Sequence, residues 1–182
     1  MLHRTKIREL AVRLLKENKN VSSLVGKNIQ DSKATPFEGR GLPGINVITP
    51  TQNGTSNSIS TLSVENTLKL NIEIYVKALD GWQIKADNIA EAVENALLCN
   101  SQFQAMTSQL LTYDVENSIY DQGAQPIVVQ ILSFGLQFNE KYEASFEDSL
   151  NEINIGVDVI DPIADPAPGP DGRIEFQTKI KL

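Results

Sequence analysis

Thr67-Leu68-Lys69-Leu70-Asn71-Ile72-Glu73-Ile74-Tyr75-Val76-Lys77 is the stretch whose reading decides the fold. Leu68, Leu70, Ile72, Ile74 and Val76 fall on one side of an extended chain, and Lys69, Asn71, Glu73, Tyr75 and Lys77 on the other. That period of two marks a strand with one face on a core and one face toward water. Asp80-Gly81 ends it. The period then lengthens: Ile84, Ala86, Ile89, Ala90, Val93, Ala96 and Leu97 recur at helical spacing, with Lys85, Asp87, Glu91, Glu94 and Asn95 between them. A long strand feeding an amphipathic helix is the unit on which the rest must pack. Trp82, just after the break, reads as a core anchor at the start of that helix.

Upstream, Ile7, Leu10, Ala11, Leu14 and Leu15 predict a helix over residues 5–17, with Arg4, Lys6, Arg8, Arg13 and Lys16 off its apolar stripe. A basic amphipathic helix suits an anionic surface, and a solvated face on a sheet-packed helix accounts for the same charges. Asn18 to Asn20 should end it. Residues 21–33 are weakly patterned, and Val25, Lys27 and Ile29 suggest a short extended piece. The segment from Pro36 through Gly39, Gly41, Pro43 and Gly44 is a turn-rich connection and lacks the lysine and following helix of a phosphate loop. Ile45 to Ile48 reads as a strand. The polar run over 50–63, with Asn53-Gly54 as a tight-turn signal, reads as a projecting hairpin with a long mobile tip, either idle or ordered by a partner.

Downstream, Phe103 and Met106 suit a short helical turn. Leu111, Tyr113, Val115 and Ile119 alternate as a strand. The run from Pro126 to Phe138 is apolar on both sides at its start, so it should be central or covered on both faces. Short connections favour antiparallel pairing. The expected fold class is therefore α/β of the α+β type: a mostly antiparallel sheet of about four strands against helices. Residues 1–140 read as that domain, and 141–182 as an acidic, proline-rich extension. Asp161 to Gly172 is a stiff linker, yet Ile174, Phe176, Thr178, Ile180 and Leu182 alternate as a strand that wants a sheet edge, its own or another subunit's.

Composition bounds the function. The 182 residues contain one histidine and one cysteine, so an intrachain disulfide, a histidine cluster and ordinary structural zinc are all excluded. His3 sits in the N-terminal lead-in, away from any partner for a triad. Cys99, after Leu97-Leu98, reads as a small buried hydrophobe. The acidic residues Asp158, Asp161, Asp165 and Asp171 do not match an EF-hand loop. No catalytic residue, metal site or cofactor is expected, and an enzyme is not indicated. The net charge of −7 argues against a general nucleic-acid binder. No run is long and apolar enough to span a membrane, the N-terminus lacks a secretory signal's apolar core, and synthesis inside the cell is expected.

The order of features resembles a specific family. It runs from Arg4-Thr5-Lys6-Ile7-Arg8 through Leu14-Leu15, to Leu42-Pro43-Gly44-Ile45-Asn46-Val47, then the Leu68–Val76 alternation. A helix with Asp87-Asn88-Ile89-Ala90 and Val93-Glu94-Asn95-Ala96-Leu97 and two further strands complete it. Over residues 1–140 this resembles the tail terminator (tail completion, minor tail) proteins of long-tailed bacteriophages. The resemblance implies a virion protein made in the host bacterial cytoplasm that forms a homohexameric ring at the head-proximal end of the tail tube. Its partners would be further copies of itself, the tail tube protein and the head–tail connector or neck protein, with DNA passing through without specific binding. The same resemblance leaves open another neck, head-completion or tube-like protein. Outside it, a partner-binding α/β domain and an unrecognised hydrolase remain. Interface residues are expected on the three projections: Arg4, Arg8 and Arg13 on the basic helix, Asn53 and Gly54 on the hairpin, and Ile174, Phe176 and Ile180 on the terminal strand.

Overall fold

The computed structural model describes residues 2–35, 37, 41–56, 62–120, 126–142, 152–157 and 176–181. Helix α1 spans His3–Glu17 and buries Ile7, Leu10, Ala11, Val12 and Leu15. It does not give way to an extended chain. The Asn18 carboxamide oxygen accepts hydrogen bonds from the Asn20 and Val21 amides at 2.9 and 3.1 Å and starts a second helix, α2, Lys19–Val25. Asn18 thus ends one helix and caps the next. Val21 and Val25, one turn apart, face the core, and Gly26 closes the helix at a φ of 68°. Of the extended piece expected here, only β1, Ile29–Asp31, forms.

The central hairpin is longer than its sequence suggests. Strand β2 spans Gly44–Ser56 and β3 spans Leu62–Lys77, paired antiparallel from Gly44↔Tyr75 to Ser56↔Val64. The register shifts between Ile48 and Thr51, around Pro50, which has no amide hydrogen to give. Asn53-Gly54 is therefore no turn: Asn53 pairs with Thr67 and Gly54 with Asn66. Gly54 serves close approach, because a Cβ there would sit 2.7 Å from Val64 Cγ1 and 2.9 Å from Asn66 Oδ1. The connection over residues 57–61, where a mobile tip was expected, lies outside the described residues.

Gly81, at a φ of 75°, precedes α3, Trp82–Leu98, which buries Ala86, Ile89, Ala90, Val93, Ala96 and Leu97. Trp82 packs, partly buried, against the same core. Ile84 does not join the apolar stripe and stands 70% exposed. The short α4, Ser101–Ala105, is capped by the Asn100 side chain and buries Phe103. Strands β4, Gln109–Tyr120, and β5, Ile127–Tyr142, complete a five-stranded sheet of order β1-β2-β3-β5-β4. All its pairs are antiparallel except β1 with β2. The fold is α+β, a sheet packed against helices, and the strand beyond the expected set is the short parallel β1.

The core lies between one sheet face and α1, α2 and α3. Leu68, Leu70, Ile72, Ile74 and Val76 of β3 are fully buried there beside Leu132, Phe134 and Leu136 of β5. On the opposite face a smaller cluster forms from Phe37, Tyr75, Ile127 and Val129, with Leu42 and Ile131 against it. This accounts for the doubly apolar start of β5: helices cover one face, and Phe37 and Leu42 pack on the other.

The chain divides into two units, Met1–Glu143 and Ala144–Leu182. In the second, β6, Glu152–Val157, pairs antiparallel with β7, Phe176–Lys181. The terminal strand thus finds its edge within its own chain. The register sets Ile153 against Ile180, Ile155 against Thr178 and Val157 against Phe176.

Candidate functional site

The basic residues of α1 divide between two sides of the helix. Arg4 Nη1 donates to Gln52 Oε1 at 3.4 Å. Arg8 Nη1 donates to Thr49 Oγ1 at 3.2 Å, while its Nε meets Asp31 Oδ1 at 2.6 Å in an ion pair. Both guanidinium groups lie along β2. Arg13 points elsewhere, donating from Nη2 to Gln102 Oε1 of α4 at 3.2 Å. Asn53 and Gly54 sit exposed on the outer half of β2, the strand that Arg4 reaches. Phe176 and Ile180 belong to β7, and Ile174 lies outside the described residues. The structure therefore brings Arg4, Arg8, Asn53 and Gly54 to one flank and leaves Arg13 off it.

A second surface was not anticipated. Among the described residues strand β4 has a partner on one side only. The register places Tyr113 opposite Phe134, Val115 opposite Leu132 and Ile119 opposite Val128, so these residues share the helix-covered face of the sheet. Yet α3 does not extend over them, and Leu110, Tyr113, Val115 and Ile119 are 39 to 66% exposed. Tyr113 stacks on Phe134 at a centroid distance of 5.1 Å and donates its hydroxyl to Glu94 of α3. Partial burial and that carboxylate together push the Tyr113 hydroxyl well above the ordinary tyrosine range. Asp87 of α3 accepts from Gln130 Nε2 at 2.9 Å, while Gln130 Oε1, buried beneath, has no hydrogen-bond partner among the described residues. The helix side facing β4 thus carries Asp87, Glu91 and Glu94, between Ile84 and Leu98 at its ends. The result is an apolar floor with an acidic wall.

A cavity of about 320 Å³ at the α4 end of the β4 flank is lined by Leu98, Phe103, Gln104, Leu110 and Leu136 among others, with no ionisable side chain. Among the described residues no group of three or more His, Cys, Asp or Glu side chains is placed to hold a metal ion. His3 is structural, its Nε2 2.8 Å from the Met106 carbonyl and its ring 4.4 Å from that of Phe138. Cys99 is exposed, not buried, because the last turn of α3 rotates it away from the core that holds Leu97. No helix among the described residues is long and apolar enough to cross a membrane.

On the sheet's other face, Asn46 is buried and its carboxamide oxygen accepts a hydrogen bond from the Lys33 amide at 2.8 Å. Its Nδ2 donates to the Lys33 carbonyl and to Glu73 Oε2. Glu73 Oε2 also accepts from the Tyr75 hydroxyl at 2.8 Å. Burial, then the Glu73 hydrogen bond, raise the Tyr75 hydroxyl far above its usual range. This network ties the segment after β1 to the sheet.

No protein-family model matches the chain, and no curated protein matches it. Among solved structures, a chain from the "Virion of native gene transfer agent (GTA) particle" is similar at 14% identity with a TM-score of 0.43. The match covers 70% of this chain and 92% of that one.

Proposed function

We propose that this chain is a structural protein of a bacteriophage virion: a tail terminator that closes into a homohexameric ring on the head-proximal end of the tail tube. The observation that carries this reading is the pair of open flanks on one sheet. Among the described residues, β1 no longer accompanies β2 beyond Val47, and β4 carries a strand on one side only. A closed ring of identical subunits needs two different faces per subunit, each complementary to the other. The element order also follows the resemblance: a basic first helix, the Leu42–Val47 lead into β2, the long β3, then α3 and two strands.

In this role the protein works by occupying a surface. A ring seated on the last tube layer removes the site where another tube subunit would add, and offers the connector a new face. The β2–β3 hairpin is the natural probe for the tube or the connector, since it is long, polar toward its end and carries Asn53 and Gly54. The net charge of −7 gives the ring no general grip on DNA that passes through it.

The test combines two measurements. Negative-stain microscopy of the purified chain should show rings, and adding it to polymerising tail tube protein should shorten and cap the tubes. A chain that stays monomeric at high concentration and leaves tube length unchanged sinks the reading. Rings that bind the connector while tubes keep growing point to another neck protein.

A further inference from the structure

We infer that the β4–α3 flank is a subunit interface whose occupant is the α1–β2 flank of a second copy of this chain. The inference rests on the ring reading above and names the surfaces that would close it.

The β4–α3 flank has three properties that want a cover. Among the described residues its strand edge has no partner along Gln109–Tyr120. Such edges are normally blunted by charged side chains, proline, bulges or brevity; β4 is 12 residues long without lysine or proline, its bulge lies at the Leu110 end, and Asp114 and Glu116 fall on the face away from the helices. Its floor of Leu110, Tyr113, Val115 and Ile119 is apolar and half-exposed, with Ile84 at one end of the wall. Its wall is acidic, through Asp87, Glu91 and Glu94.

The opposite flank supplies a strand stretch and the opposite charge, with Pro50 at the register shift giving no amide hydrogen to the edge. From Thr49 to Thr55, β2 runs beyond the reach of β1, and that stretch contains no charged residue. Arg4 and Arg8 lie along it, and Lys16 stands exposed on the same helix. Asp31 neutralises Arg8, so Arg4 and Lys16 are the cations left to meet the acidic wall, with Glu9 and Glu17 beside Lys16 on the exposed side of α1.

Strand direction makes the two flanks fit. Each of the pairs β2–β3, β3–β5 and β5–β4 is antiparallel, so β2 and β4 run in opposite directions. Laying β2 of one copy against β4 of another, helices on the same side, continues the antiparallel ladder. It also sets the basic α1 of the incoming copy beside the acidic wall of α3 and over the exposed apolar floor. The competing arrangement, β4 against β4 about a two-fold axis, brings Glu91 and Glu94 toward their own copies, and like charges in contact oppose association. The head-to-tail arrangement is the one a ring requires.

Charge reversal tests this with a built-in rescue. One variant carries Glu91→Lys and Glu94→Lys, the other Arg4→Glu and Lys16→Glu, with folding checked by circular dichroism. In sedimentation velocity at 0.15 M salt, each variant alone should associate at least tenfold more weakly than the unaltered chain, because both its flanks then carry the same sign. An equimolar mixture should recover association, since each flank of one variant meets its opposite on the other. If both variants assemble alone, or the mixture stays dissociated, the interface is overturned while the ring reading stands. Loss confined to the Glu91/Glu94 variant, with the other assembling normally, also overturns it and indicates a two-fold contact. If the unaltered chain is monomeric at every concentration, the ring and this interface fall together.

Discussion

Strands β3 and β4 carry the same sequence signature and meet opposite fates. Each alternates apolar with polar residues along most of its length, and each places its apolar row on the helix side of one sheet. In β3, Leu68, Leu70, Ile72, Ile74 and Val76 are wholly buried. In β4, Val115 and Ile119 are 46 and 66% exposed. Alternation reports that a strand has an apolar face. It does not report whether anything covers that face, which depends on the strand's place in the sheet and the reach of the helices. β3 lies at the sheet's centre beneath α1 and α3, and β4 lies at its rim.

The comparison breaks most visibly at the centre. Ile72→Ala removes fully buried methyl groups where α3, β5 and β3 meet, and should cost about 2–5 kcal/mol. Thermal or urea unfolding of the monomeric chain reads this directly. A loss below about 1 kcal/mol would mean that the core relaxes into the space and that β3 is less tightly held than its burial implies.

Next in size is Gly135 of β5, which pairs with Thr112 of β4. A Cβ added there overlaps Thr112 Oγ1, so Gly135→Ala should cost about 1–3 kcal/mol. The double variant with Thr112→Ala removes that oxygen, leaving contacts of 3.3 and 3.4 Å to the Thr112 backbone nitrogen and Cβ. It should recover most of the loss, as a double-mutant cycle measures. Equal destabilisation with and without Thr112→Ala would show that the strands are not held together there.

How far the sequence was legible follows the same division. The strand Leu68–Val76, the helix after Gly81 and the doubly covered β5 were readable, because each has enough residues to display its period and a core that rewards it. Three features misled for physical reasons. Asn53-Gly54 has strong turn propensity, but pairing with Asn66 and Thr67 on a long hairpin outweighs a local preference. Helix α2 spans two turns with only Val21 and Val25 buried, too short for a period to show, although Asn18 three residues before Val21 was a usable capping signal. Ile84 and Cys99 sit at the two ends of α3, where the core runs out before the helix does. For the candidate site, the charges of α1 were visible in the sequence. That Arg4 and Arg8 reach β2 while Arg13 reaches α4 depends on contacts between residues far apart in the chain. The acidic wall beside β4 likewise arises only when α3 is laid along the sheet.

A smaller effect separates the two sheet faces by pH. The Tyr75 hydroxyl is raised by burial and by Glu73, so the folded state holds its proton more tightly than the unfolded chain does. The contribution is then fully present below the unfolded tyrosine value of about 10 and is lost as pH rises above it. One pH unit higher it has fallen by at most about 1.4 kcal/mol. Unfolding free energy measured from pH 9 to 11 should decline less steeply in Tyr75→Phe than in the unaltered chain. Tyr113, raised by burial and by Glu94, and Tyr142, raised by Glu140, add to the same slope, so parallel slopes for Tyr75→Phe would show that Tyr75 contributes none of the decline.

The smallest expected change tests the rim itself. Ile119→Ser replaces a side chain already 66% exposed, so the monomer should lose no more than about 0.5 kcal/mol, within the range of ordinary surface substitutions. The contrast with Ile72→Ala is the point, since both residues sit on the same face of the same sheet. If Ile119 contributes little to folding, its apolar character answers to something outside the monomer. The same variant should then weaken self-association more than it weakens folding. A variant that unfolds readily yet assembles as well as the unaltered chain would assign Ile119 to the core and remove the reason for treating β4 as a surface that waits for a neighbour.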